Sequence, residues 1–122
     1  MPAPLAPFTE TVVSAVAETT DFGTKELRSL LERHQEYVRG YETVGGVDGL
    51  VYEWRQSLFD DPLAVQDTET YYLAVPERVW VDFGERLGFS NAELAALRAV
   101  HDRQFRAAHG DPDGAALVLS KA

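Results

Sequence analysis

The spacing of apolar residues changes along the chain, and this change limits the folds that the sequence can form. Between residues 27 and 38, apolar side chains recur at steps of three and four, the period of an amphipathic helix. Between residues 63 and 75, aromatic and β-branched residues follow one another as they do in strands. Helical spacing is also found in four other segments, residues 12–17, 47–58, 79–87 and 94–108. The sequence therefore predicts a mainly α (α+β) fold of about five helices, with one β-hairpin inserted between the third and fourth helices.

Capping and breaking residues give the ends of these elements. Thr9 and Thr24 are the expected N-caps of the first two helices, and Pro76 suits the first turn of the fourth. Ser90 and Glu93 have the spacing of a capping box at the start of the fifth. The prolines near the start and the Gly-Asp-Pro-Asp-Gly run predict three regions: a flexible N-terminal arm (1–7), a single globular domain (8–109) and a flexible C-terminal tail (110–122).

Composition excludes several classes of chemistry. The 122 residues include no cysteine, which rules out disulfides, thiolate metal sites and cysteine nucleophiles. There are 20 acidic and 11 basic residues, a net charge of −9 that favours a salt-rich cytoplasm, where self-repulsion is screened. No apolar segment approaches the ~20 residues of a membrane span. We therefore expect a cytoplasmic protein without membrane contact.

Motifs for catalysis are absent, but two histidines are candidates for a polar site. The sequence has no G-x-S-x-G elbow, no phosphate-binding G-x-x-x-x-G-K-[ST] loop and no H-E-x-x-H helix, and it predicts no cofactor. His34 and His101 both lie on the apolar stripes of their helices, so packing of these helices would bring the imidazoles together. One hypothesis is thus a small-molecule or metal-binding enzyme that uses His34 and His101. The alternative is a pair of structural core histidines.

Residues 83–97 resemble the helix-turn-helix motif of DNA-binding regulators. Gly84 allows the helices to approach, Gly88 forms the turn, and Phe89 fills the corner. In such a regulator Asn91 and Arg98 would contact DNA. The same steric requirements apply to any tight corner between helices, and the negative charge of the chain disfavours nucleic acid as a partner.

Large aromatic residues indicate a surface for self-association or for another protein. Tyr71 and Tyr72 are expected on opposite faces of one strand, so that one of them would lie outside the core. Together with Trp54 and Trp80 they form the candidate partner surface, because tyrosine and tryptophan are enriched at interfaces. The alternative is that these rings fill the core.

Three strings in the sequence resemble a family of small acidic haloarchaeal proteins of unknown function. They are Val-Tyr-Glu-Trp-Arg (51–55), Tyr-Tyr-Leu-Ala-Val-Pro (71–76) and the run Glu-Leu-Ala-Ala-Leu-Arg-Ala-Val-His-Asp-Arg-Gln-Phe (93–105). The resemblance extends over most of residues 8–109 and implies a high-salt cytoplasm, but no catalytic residue. The first functional hypothesis is a non-enzymatic protein-interaction or assembly domain that forms a homo-oligomer or binds a protein partner. A DNA-binding regulator and a histidine-based enzyme are the alternatives.

Overall fold

The chain folds into a mainly helical α+β structure. The computed structural model describes residue 5 and residues 7–40, 46–57 and 61–121. Within these ranges there are five helices and a small antiparallel sheet of three strands. In chain order the elements are α1 (Glu10–Thr19), α2 (Thr24–Arg39), α3 (Gly46–Ser57), β1 (Leu63–Gln66), β2 (Thr70–Val75), α4 (Glu77–Leu87), α5 (Asn91–His109) and β3 (Ala115–Ser120).

Capping interactions define the starts of the helices, and two of the expected caps are confirmed. The Thr9 hydroxyl accepts a hydrogen bond from the Val12 N–H at 3.2 Å. Ser90 and Glu93 form the reciprocal capping box of α5. The expectation for α2 is wrong by one residue, because Gly23 is the N-cap and its N–H donates to the Glu26 carboxylate at 3.2 Å. Tyr41 and Leu58, expected on the apolar faces of α2 and α3, lie outside the described residues.

The sheet corrects two sequence predictions. The hairpin of β1 and β2 is present between α3 and α4, but β3 pairs with β2 on its other side, from Thr70↔Ser120 to Val75↔Ala115. Residues 115–120 are therefore a strand and not part of a flexible tail. The physical reason is burial, since Leu117, Val118 and Leu119 are each 0% exposed.

Helix α5 is the central helix of the structure. It packs against β3 and also contacts α1, α2 and α4. Its buried side chains include Leu97, Val100 and Phe105. This arrangement brings the polar residues of three helices close to one strand. Among the helices of the described ranges, none has both the length and the apolarity needed to cross a membrane.

Replacing Gly88 by alanine is expected to destabilise the protein by about 1–2 kcal/mol, the cost of a left-handed backbone for an L-residue. Gly88 ends α4 with φ +70°, and a Cβ built on it would meet nothing within 4 Å, so the cost comes from the backbone alone. Gly88→Asn is the matched control, because asparagine tolerates this conformation and should cost clearly less. Urea unfolding measures both variants, and equal stability of wild type and Gly88→Ala would contradict the prediction.

Candidate functional site

The two histidines singled out from the sequence meet in the core. His34 of α2 and His101 of α5 have ring centroids 5.2 Å apart and nearly perpendicular planes. Both side chains are 0% exposed. Aromatic rings surround them: Trp80 stacks on His34 at 5.0 Å, and Phe83 and Phe8 approach edge-on. The prediction that helix packing brings the imidazoles together is confirmed.

A hydrogen bond from β3 determines the tautomer of His101. Its Nδ1 accepts from the Val118 N–H at 2.9 Å, so the neutral ring carries its proton on Nε2. Among the described residues, neither that Nε2 nor either ring nitrogen of His34 has a hydrogen-bond partner. The pair therefore combines one firm structural bond with three ring nitrogens enclosed by aromatic side chains.

Side chains from the helices close the edge of β3 that faces away from β2. The Gln35 amide donates to the Val118 carbonyl at 2.8 Å and accepts from the Ser120 N–H at 2.9 Å. The Trp80 indole N–H donates to the Ala116 carbonyl at 3.1 Å. With His101 on the Val118 N–H, these groups replace the hydrogen bonds of a missing fourth strand. Unpaired backbone groups are costly in a core, which explains why polar side chains are buried at this point.

Burial keeps both imidazoles neutral. Desolvation lowers the pKa of His34 from 6.5 to about 3. Desolvation, with the nearby His34 as a second cause, holds the pKa of His101 well below its ordinary value. The rings are thus uncharged at neutral pH and sealed from solvent.

This geometry gives little support to a metal or enzymatic site on the pair. Within the described ranges, no three His, Asp or Glu side chains are grouped so that they could hold a metal ion. A substrate would also need to open the core to touch either ring, since neither has exposed surface. The bond to Val118 assigns a structural role to His101.

The corner between α4 and α5 is tightly packed. A Cβ on Gly84 would lie 2.9 Å from Cδ2 of Leu94, so glycine permits the close approach of the helices. The Phe89 N–H donates to the Gly84 carbonyl at 3.0 Å, and the Arg33 guanidinium lies 4.7 Å from the centre of the Phe89 ring. Each of these contacts serves the corner itself.

The residues expected to contact DNA are only partly available. Asn91 is exposed at the first position of α5. Arg98 pairs with Glu77 at 2.7 Å, and Arg106 of the same helix bonds to Asp102 and Asp111. Because these guanidinium groups are neutralised by acids of the chain, α5 does not present a row of free cations to phosphates.

The candidate partner surface on the hairpin is mostly buried, which corrects the expectation. Trp80 is 0% exposed, and Tyr71 and Tyr72 are 9% and 6% exposed. The Tyr71 hydroxyl bonds to Asp48 of α3, and the Tyr72 ring packs against His109. Both faces of β2 are covered, so neither tyrosine is left outside. Of the four residues, Trp54 alone remains partly exposed.

The edge formed by β1 contrasts with the edge formed by β3. Ala64, Val65 and Gln66 are all exposed, and β1 pairs with β2 on one side. Beside it lies a groove of about 760 Å³, whose walls include Ala64, Ala74 and His109. The sheet is thus closed by the core on one side and open on the other.

Comparison with protein families places the chain. The model of a domain of unknown function, DUF8048, matches residues 6–120, which includes every helix and strand described above. The chain belongs to this family. No curated protein and no solved structure matches it. The match also includes β3, so the family domain extends beyond residue 109, where the sequence analysis ended it.

Proposed function

We propose that this DUF8048 chain is a non-enzymatic assembly domain of a salt-rich haloarchaeal cytoplasm, in which two copies associate through the free edge of β1. The observation that carries the proposal is the contrast between the two edges of the sheet. Buried side chains satisfy the outer edge of β3, whereas β1 presents exposed residues along its length. An open strand edge is a template for pairing with another strand.

The charges around β1 favour a second copy as the partner. Leu63–Gln66 contains no charged residue, so antiparallel pairing of β1 with itself opposes no like charges within the strand. The acid just before it, Asp61, pairs with Arg55 at 3.0 Å, and Lys121 donates to Gln66 at 2.9 Å. An edge that is uncharged, with its flanking charges already paired, suits its own copy better than a charged partner.

The length of β1 sets the expected strength. The strand has four residues, and its register shifts between Leu63 and Val65. Short, bulged edges pair weakly, so we expect a reversible dimer. Each copy carries a net charge of −9, and salt screens the repulsion between copies. Association should therefore strengthen with salt.

Val65→Lys tests the proposal, because a lysine on an exposed edge opposes strand pairing. Sedimentation equilibrium of the wild type should give 13.5 kDa at 0.1 M KCl and a mass approaching twice that value in molar salt. Val65→Lys should remain at the lower mass in both. Val81→Lys is the matched control, since Val81 is another exposed valine, on α4, and should behave as wild type.

Two results would contradict self-association through β1. A wild-type protein that stays at 13.5 kDa in molar salt at millimolar concentration excludes the dimer. Equal loss of mass in Val65→Lys and Val81→Lys would locate the effect in added charge and not in the edge of the sheet.

A further inference from the structure

A small aromatic cavity lies between three helices, away from the sheet edge. We call it the aromatic notch, and its volume is about 60 Å³. Tyr37 of α2, Trp54 of α3 and Phe83 of α4 contribute rings to its walls. The other described residues that line it are Val79, Asp82 and Arg86.

The rings of the notch form a corner and not a stack. Tyr37 lies 6.1 Å from Phe83 with planes at 85°, and Trp54 lies 6.2 Å from Phe83 with planes at 66°. Phe83 is 4% exposed and held from beneath by His34 at 4.6 Å, whereas Tyr37 and Trp54 are half-buried. Three rings from three different helices thus meet at steep angles around one space.

The electrostatics of such a corner favour a cation. The faces of aromatic rings are electron-rich and attract ammonium groups, most strongly when the cation is weakly hydrated. Asp82 and Arg86, both exposed, contribute one charge of each sign to the rim. The net charge of −9 adds a long-range attraction for cations.

We propose that the aromatic notch binds a trimethylammonium group, supplied by a small solute or by a methylated lysine side chain. A cavity needs about 10–15 Å³ to hold one water molecule, so the notch holds about four to six. A trimethylammonium group has four heavy atoms and fits this space. Its methyl groups would contact the rings, and its charge would face their electron-rich surfaces.

Two-dimensional NMR of the indole N–H groups tests this binding with an internal control. The chain has two tryptophans, Trp54 in the notch and Trp80 in the core, and the Trp80 N–H is bound to the Ala116 carbonyl. Titration with tetramethylammonium chloride against sodium chloride of equal ionic strength should shift the Trp54 signal and leave that of Trp80 in place. Trp54→Phe assigns the two signals. A peptide with Nε-trimethyllysine, titrated beside its unmethylated form, shows whether a protein side chain is the better source.

A neutral isostere separates charge recognition from shape. Choline should bind at least threefold more tightly than 3,3-dimethylbutan-1-ol, which replaces the nitrogen by carbon. Tyr37→Leu should weaken tetramethylammonium about threefold, while Tyr52→Leu, at a 66% exposed tyrosine outside the notch, should not. Equal affinity for choline and its isostere, or an unshifted Trp54 signal up to 50 mM tetramethylammonium, would overturn the proposal.

Discussion

Lowering the pH from 7 to 5 is expected to destabilise the protein by about 4 kcal/mol through His34 and His101. In the unfolded chain each histidine has a pKa near 6.5 and is protonated at pH 5. In the folded protein burial holds both pKa values far lower, to about 3 for His34. Each histidine therefore contributes about 1.36 kcal/mol for each of the 1.5 pH units below 6.5.

The sign follows from proton counting. Below pH 6.5 the unfolded state binds more protons than the folded state, so acid favours unfolding. The stability contributed by neutral His34 is complete above pH 6.5 and is lost progressively towards pH 3. Carboxylates titrate mainly below pH 5, which leaves the interval from pH 7 to 5 to the histidines.

Urea unfolding at the two pH values, in one buffer of constant ionic strength, measures the effect. His34→Leu should reduce the loss to about 2 kcal/mol, because one buried imidazole remains. His109→Gln is the control, since it removes the exposed histidine and leaves the buried pair. A wild-type stability that is unchanged between pH 7 and 5 would contradict the burial of neutral rings.

Replacing Gln35 by methionine is expected to cost about 2–5 kcal/mol, since it leaves two buried backbone groups without partners. These groups are the carbonyl of Val118 and the N–H of Ser120. Methionine has nearly the shape of glutamine, so lost packing contributes little. Amide hydrogen exchange at Ser120 should also become faster, because its acceptor is gone.

An exposed glutamine provides the matched control for this substitution. Gln56→Met changes the same side chain on the surface of α3 and should alter stability by less than about 0.5 kcal/mol. If Gln35→Met and Gln56→Met are equally stable, Gln35 does not close the edge of β3.

Local patterns predicted much of the fold, and non-local pairing accounts for the misses. The spacing of Leu27, Leu30 and Leu31 predicts α2, and Ser90 with Glu93 predicts the start of α5. The strand β3 was missed because it follows a strong breaker, although its apolar run of Leu117 to Leu119 is typical of a buried strand. A strand without a neighbour in sequence needs a distant partner, and periodicity does not identify that partner.

The site was predicted in part. His34 and His101 were placed on apolar stripes, and this was sufficient to bring them together. Gln35 was missed, although it lies four residues after Leu31 on the buried side of α2. The burial of Tyr71 and Tyr72 was missed for a related reason: with helices over both faces of β2, alternation no longer separates core from surface.

The closed edge of β3 also constrains the order in which the molecule assembles. The bonds from Gln35 to Val118 join residues 83 positions apart, and β3 follows α2, α4 and α5 in the chain. Until that strand arrives, the amide of Gln35, the imidazole of His101 and the indole of Trp80 lack the backbone groups that they bind in the native state. During synthesis the helices can form early, but their polar side chains oppose tight closure before β3 is in place. Completion of the core is thus tied to the strand made after them, and folding should be slower than for a bundle with local contacts.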